Sequence, residues 1–217
     1  MASDRRFTAQ GQERKQQLLD AAGDLFAERG YAETRVIDIV HRAGVAKGLF
    51  YWYFENKEAL FRELVELHRH RLRLAQAAAI EEDAEPLLQI RQGTEASLMF
   101  MASHAHFFAL IEMENLGRQF GDVLRHGTEV HRSDVSARIR AGIERGTIRD
   151  EDPELLAYGV LAAVGYFGHF HRSGRIDLPA PELARFVGRS VVSMLAADSD
   201  IAQRIMAAPD VVSSPLV

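Results

Sequence analysis

The chain has 217 residues, room for one large domain or two small ones with cores of their own, and its 47% hydrophobic and 26% charged residues strike an ordinary globular balance. It has no cysteine, which excludes disulfide staples and thiolate metal sites and fits a reducing compartment. The net charge of −5 is uneven: residues 1–75 carry 13 Lys+Arg against 11 Asp+Glu and the remainder 13 against 20, a mildly basic head on an acidic body.

From the N-terminus, the polar start Met1–Arg6 leads into no apolar stretch, and no run approaches the roughly 20 apolar residues of a membrane span. A cytoplasmic protein with no membrane partner is expected. Apolar residues recur at helical spacing almost throughout, so the fold class is all-α. The first helix spans about residues 12–29, with Leu18, Ala22, Leu25 and Phe26 on one face and Gly30 as its left-handed stop. Two short helices follow at about 35–42 and 46–53, separated by Ala43-Gly44-Val45, and Asn56 caps a longer helix over 56–80. The acidic run Glu81–Glu85 with Pro86 marks a boundary. Further helices are predicted near 86–103, 105–115, 119–145, 153–173 and 181–197, with Asp152-Pro153-Glu154 a start signal for one and Pro179 and Pro181 bracketing the start of the last. Residues 198–217, with Pro209, Ser213, Ser214 and Pro215, read as a disordered tail.

Two short helices joined by a glycine-bearing turn make a helix-turn-helix, whose second helix enters the DNA major groove. Gly44 takes the positive φ of the turn, and Ile37, Val40 and Ala43 pack the first short helix against Val45 and the helix behind. At 100° per residue, with Lys47 at 0°, Gly48, Tyr51 and Trp52 fall within about 140° on one side, while Leu49, Phe50 and Tyr53 occupy roughly 200–300°. The outer face offers a cation for phosphate or guanine edges, a bare backbone for close approach, and a phenol for phosphate or a thymine methyl. Lys57, in the first turn of the next helix, can meet a phosphate. The aromatic run FYWYF is equally suited to a core.

The longer pattern, LFAERGY, then TRVIDI, then AGVAKGLFYWYFENKEALF over about residues 12–65, resembles the TetR family of one-component bacterial transcription regulators. The resemblance implies a homodimer with three N-terminal DNA-binding helices in residues 1–57, a linking helix at 56–80, and a body at 81–197 that binds an inducer and dimerises through its last two helices. Carried onto matching positions, it implies DNA contacts from Thr34, Arg35, Lys47, Gly48, Tyr51, Trp52, Tyr53 and Lys57. Two positions depart from the family pattern: Leu49 stands where a small hydroxyl residue is common, and so does Arg35.

The helix at 153–173 is apolar nearly all round and carries Gly159, Gly165 and Gly168, each costing about 1 kcal/mol against alanine, which suggests a very close neighbouring helix. Paired with the helix at 181–197 and their symmetry mates, it would form a four-helix interface through Gly159, Ala163, Phe167, Phe170, Phe186, Arg189 and Met194; the other reading makes it the central core helix of a monomer. A ligand cavity is expected between Pro86 and Tyr166, lined by Met99, Phe100, Phe107, Phe108, Met113, Phe120 and Tyr166, with His104 and Glu112 as polar anchors. The pairs His68/His70, His104/His106 and His169/His171 lie about 200° apart on a helix, so neither member shares a metal with its neighbour, and no metal or cofactor is expected.

The function expected is therefore a sequence-specific DNA-binding regulator, a repressor of a palindromic duplex operator released by an unidentified small-molecule inducer. The competing reading is an all-helical enzyme or small-molecule carrier with an incidental helix-turn-helix. No G-x-S-x-G elbow, phosphate loop, H-E-x-x-H or carboxylate pair supports catalysis.

Overall fold

The computed structural model describes residues 8–112 and 120–211. Apart from an isolated antiparallel bridge between Ile148 and Ala196, the regular structure among them is helical. The helices are α1 (Ala9–Arg29), α2 (Val36–Arg42), α3 (Lys47–Tyr53), α4 (Lys57–Ala79), α5 (Pro86–Ser103), α6 (Ala105–Ile111), α7 (Gly121–Glu144), α8 (Pro153–Arg172), α9 (Ala180–Leu195) and α10 (Ser199–Ala207).

Their ends follow local chemistry. Asn56 Oδ1 accepts from the Ala59 N–H at 2.8 Å, and Asp152 Oδ1 accepts from Glu154 and Leu155, satisfying amide donors that a helix start leaves unpaired. Pro86 and Pro153 occupy the first turns of α5 and α8, where a missing N–H costs nothing.

The chain divides into two compact units, Met1–His68 with His106–Gly121, and Arg69–Ala105 with Asp122–Val217. The division differs from the expected boundaries after residues 57 and 80. It falls inside α4, and residues 106–121 return to the first unit because their aromatic rings pack there. Phe107 stacks on His68 with centroids 3.7 Å apart, and the buried Phe120 lies 4.3 Å from Phe61 and 5.2 Å from Tyr31.

In the first unit, Leu18, Ala22, Leu25 and Phe26 of α1 meet Ile39 and Val40 of α2, Phe50 of α3 and Leu60, Phe61 and Leu64 of α4 in one core. Ile37, expected in that core, is 49% exposed, while Ile39 is fully buried. The buried arc of α2 runs through positions 39, 40 and 43, and Ile37 lies about 110° away from its centre.

In the second unit, α5 packs on α9 and α8, burying Leu87, Ile90, Leu98 and Phe100 with Leu156, Val160, Leu183, Val187 and Val191. Of the three α8 glycines expected to mark close approaches, Gly159 and Gly168 make theirs within the chain, and Gly165 faces open space. A Cβ at Gly159 would lie 3.0 Å from Met194 Sδ, and one at Gly168 would lie 3.0 Å from Met101 Cε.

The tail expected to be disordered carries α10, capped by Asp198 and anchored by the buried Ile205; residues 212–217 lie outside the described ones. Arg91, fully buried on α5, accounts for the anchoring. Its Nε donates to Glu95 Oε1, Nη1 to the carbonyls of Ile205 and Ala208, and Nη2 to the Pro209 carbonyl and Asp210 Oδ1, at 2.6–3.2 Å. Glu95 in turn accepts from the Val211 N–H. The segment is ordered because an internal charge needs its carbonyls, a requirement that no local pattern reveals.

Candidate functional site

The helix-turn-helix forms as the sequence predicts. Gly44 closes α2 with φ +65°, and its neighbour Val45 donates to the Val40 carbonyl at 3.0 Å, so the chain reverses tightly into α3. Arg42 clamps α2 to α1 through two hydrogen bonds to the Glu28 carboxylate.

The seven residues of α3 divide into two faces. Phe50 is fully buried and Leu49 half-buried. Tyr53 is also turned inward, its hydroxyl donating to the Gly11 carbonyl at 2.7 Å across 42 residues of sequence. On the other side Lys47 and Gly48 are exposed, and Tyr51 and Trp52 keep 52% and 50% of their surface in water. A Cβ added at Gly48 would meet nothing within 4 Å, and its φ is not positive. The fold therefore gives no reason for a helix-weakening glycine at this position, whereas close approach of an outside molecule does.

The eight residues expected to touch DNA do not form one set. Arg35, Lys47, Gly48, Tyr51 and Trp52 are exposed, with Arg35 held by Asp38, whose carboxylate accepts from both its N–H and its guanidinium. The side chains of Thr34, Tyr53 and Lys57 make hydrogen bonds within the scaffold. Thr34 is 1% exposed and its hydroxyl donates to the Gly30 and Leu25 carbonyls. Lys57 Nζ donates to the carbonyls of Tyr31 (2.6 Å) and Thr34 (2.7 Å) and sits 4.2 Å from the Tyr31 ring centroid, tying α4 to the α1–α2 turn. Partial burial holds its ammonium below the usual lysine range, with Glu33 opposing. Residues around a helix pair can serve as readily in bracing it as in reading DNA, and spacing alone does not separate the two roles.

The expected ligand residues are placed differently again. Phe107, Phe108 and Phe120 belong to the first unit with the helix-turn-helix, Phe107 and Phe108 packing edge to face. In the second unit, Phe100 is core and stacks on His104, Met99 is half-buried, and Tyr166 is exposed. Glu112 is exposed and Met113 lies outside the described residues. The second unit instead contains a cavity of about 420 Å³ between α4, α5, α7 and α8, and none of the expected residues lines it. Its walls include Gln76, Ile80, Ile90, Thr94, His131, Val135, Val160 and Val164. None of the lining residues is Phe, Tyr or Trp, which is why no aromatic stripe pointed to them.

Of the expected interface, Gly159, Ala163, Phe167, Phe170 and Met194 are half-buried within the chain, and Phe186 and Arg189 are exposed. The outward stripe of α8 is Leu155, Tyr158, Ala162, Gly165 and Tyr166, rotated by about 100° from the expected one. The 159/163/167 side faces the chain's own neighbours, Gly159 against Met194 and Phe167 against Phe186.

The family model described as bacterial regulatory proteins, tetR family, matches residues 18–64, spanning most of α1, all of α2 and α3 and the start of α4. The transcriptional regulator TtgR of Pseudomonas putida is 39% identical over 84 residues, 38% of this chain, and the match spans 40% of TtgR's length. RutR of Escherichia coli (strain K12), also a transcriptional regulator, is 28% identical over 163 residues, 72% of this chain and 74% of RutR. The fold is shared with the crystal structure of a TetR-like transcriptional regulator from Rhodococcus sp. RHA1, with TM-score 0.66 and 22% identity over 90% of this chain and 97% of that one. Residues 18–64, which hold the helix-turn-helix, thus match the tetR family of bacterial regulatory proteins in residue order, and the fold over most of the chain is shared with a TetR-like transcriptional regulator.

Proposed function

We propose that the protein is a transcription regulator that binds a palindromic duplex operator as a homodimer, through Lys47, Gly48, Tyr51 and Trp52 of α3 with Arg35 beside α2, and is released as a repressor when a small molecule occupies its second unit. The observation that carries this reading is the outer face of α3. Two half-exposed aromatic rings, a cation and a glycine without an internal role stand on one side of a helix whose other side is fully engaged. Such a set suits phosphate and base-edge contacts and close backbone approach.

The outward stripe of Leu155, Tyr158 and Tyr166, with Phe186, supports self-association through α8 and α9, since apolar surface of this kind marks interaction sites. A ligand would act by favouring a dimer whose two α3 helices miss half-sites about 34–36 Å apart. The relatives that match are transcriptional regulators, which disfavours the enzyme or carrier reading. None of the described helices is long and apolar enough to cross a membrane, in keeping with a cytoplasmic regulator.

The test is duplex binding to the DNA immediately upstream of the protein's own coding region and to genomic fragments, for the wild type and Tyr51→Ala, across a salt series. Saturable dimeric binding that weakens with salt and collapses in the variant is expected. No duplex binding to any fragment, even at low salt, would overturn the reading.

A further inference from the structure

The cavity of the second unit has a volume in the range that holds small organic ligands. The formal charges around it cancel. Arg73 pairs with Asp134 at 3.2 Å, and Arg138 and Glu82 add one charge of each sign. The rest of the wall is aliphatic, interrupted by a few neutral polar groups.

Two of those groups have hydrogen-bonding capacity to spare. The first is Thr94, 3% exposed, whose hydroxyl has no hydrogen-bond partner among the described residues. The other hydroxyls of α5 are spent on the helix itself, Ser97 on the Gly93 carbonyl at 2.6 Å and Ser103 on the Phe100 carbonyl at 2.9 Å. A buried hydroxyl left unpaired is a standing cost that a fold carries where something else completes it.

The second group is His131. Its Nδ1 lies 3.5 Å from the Gln76 side-chain nitrogen, which also donates to Ser97 Oγ at 2.8 Å. An amide N–H facing a ring nitrogen makes that nitrogen the acceptor, which leaves the ring proton on Nε2 as a donor. Burial holds the imidazole below its usual range and therefore neutral, Asp134 opposing and Arg138 and Arg73 reinforcing.

We infer that the cavity takes an uncharged, mainly apolar small molecule bearing a hydroxyl or carbonyl oxygen, which Thr94 and His131 engage by hydrogen bonds. The inference rests on the reading of the protein as ligand-responsive and adds the chemistry of the ligand to it. The lining carries two cations and two anions, so a carboxylate or ammonium group gains no net attraction there to offset its lost hydration. An oxygen on an apolar skeleton finds a hydroxyl, an imidazole N–H, and walls from Ile80, Ile90, Val135 and Val160.

The experiment is calorimetric titration of the full chain, free of DNA, with four probes on one skeleton at pH 7.5: 2-naphthol, 2-naphthoate, 2-naphthylmethylammonium and 2-methylnaphthalene. The naphthol is expected to bind at least tenfold more tightly than each of the others. Thr94→Val, which keeps the volume and removes the hydroxyl, should weaken naphthol about tenfold, while Thr94→Ser stays within about threefold of the wild type. Thermal unfolding of both variants checks that they fold. Equal or tighter binding of the acid or the amine overturns the inference, as does binding of none of the four, or a Thr94→Val protein that binds like the wild type. Because no DNA is present, these outcomes are separate from the regulator reading, which falls only if duplex binding fails.

Discussion

Replacing Arg91 with methionine withdraws a guanidinium from five acceptors at once. The Ala208 and Pro209 carbonyls lose this donor, the Ile205 carbonyl keeps only the Ala208 N–H at 3.3 Å, and Glu95, 3% exposed, keeps only the Val211 N–H. Asp210 retains Arg185 at 2.7 Å and is the least affected. Removing one member of a buried ion pair costs about 3–5 kcal/mol, chiefly because the remaining charge stays buried without compensation. In a protein of this size each kcal/mol moves Tm by about 2–4 °C, so a fall of roughly 6–20 °C is expected. Circular dichroism melts with urea midpoints measure it. The double change Arg91→Met with Glu95→Leu should recover at least half of the loss, since it leaves no uncompensated carboxylate. A single-variant loss below about 1 kcal/mol, or a double variant less stable than Arg91→Met alone, would refute the assignment of the C-terminal segment as the acceptor shell of a buried charge.

Other perturbations separate roles that lie close together in sequence. Lys47→Ala should lower duplex affinity and flatten its salt dependence by about 0.9 per protomer, the share of one phosphate, with Tm unchanged. Lys57→Met should instead lower stability by about 1–2 kcal/mol through the lost Tyr31 and Thr34 carbonyl bonds; a variant that loses DNA affinity at full stability would return Lys57 to the DNA face. Gly188→Ala would set a Cβ 2.7 Å from Glu95 Oε1, an atom pinned by Arg91, and should cost about 1–3 kcal/mol. Gly165→Ala, with nothing within 4 Å, should gain up to about 1 kcal/mol in the free protomer. The unfolded chain protonates His131 near pH 6.5 and the folded chain only at lower pH, so this stability is present above about pH 6.5 and is lost as the pH falls from there. Melts from pH 7.5 to 5.5 should fall more steeply for wild type than for His131→Gln, and parallel curves would show that the imidazole is not held neutral.

Where short-range chemistry decides, the sequence foretold the structure. The Gly44 turn, the Asp152-Pro153 and Pro86 starts, the Asn56 cap and the two faces of α3 all depend on residues within one or two turns of each other. The placements that differ from the sequence reading depend on contacts across many residues. Thr34 and Lys57, expected as DNA contacts, also donate to the carbonyls of Leu25, Gly30 and Tyr31, up to 26 residues away in sequence. Phe107 and Phe120 read as pocket lining because nothing local says that His68, Phe61 and Tyr31 receive them. The helix α10 was hidden by prolines and serines around it, while the charge that orders it sits over a hundred residues upstream at Arg91.

The division of α3 into an engaged side and an exposed side has a consequence for how such a protein can change. Phe50 and Tyr53 hold the helix in place, Lys47 and Gly48 stand clear of the core, and the half-exposed Tyr51 and Trp52 rings pack edge to face on Phe50 and Tyr53. Substitutions at Lys47 and Gly48 are then nearly independent of those that set stability, whereas those at Tyr51 and Trp52 also reach the rings of Phe50 and Tyr53. A lineage, or a combinatorial library at codons 47 and 48, can search new operator preferences without first regaining a folded domain, so recognition can drift while the scaffold stays fixed.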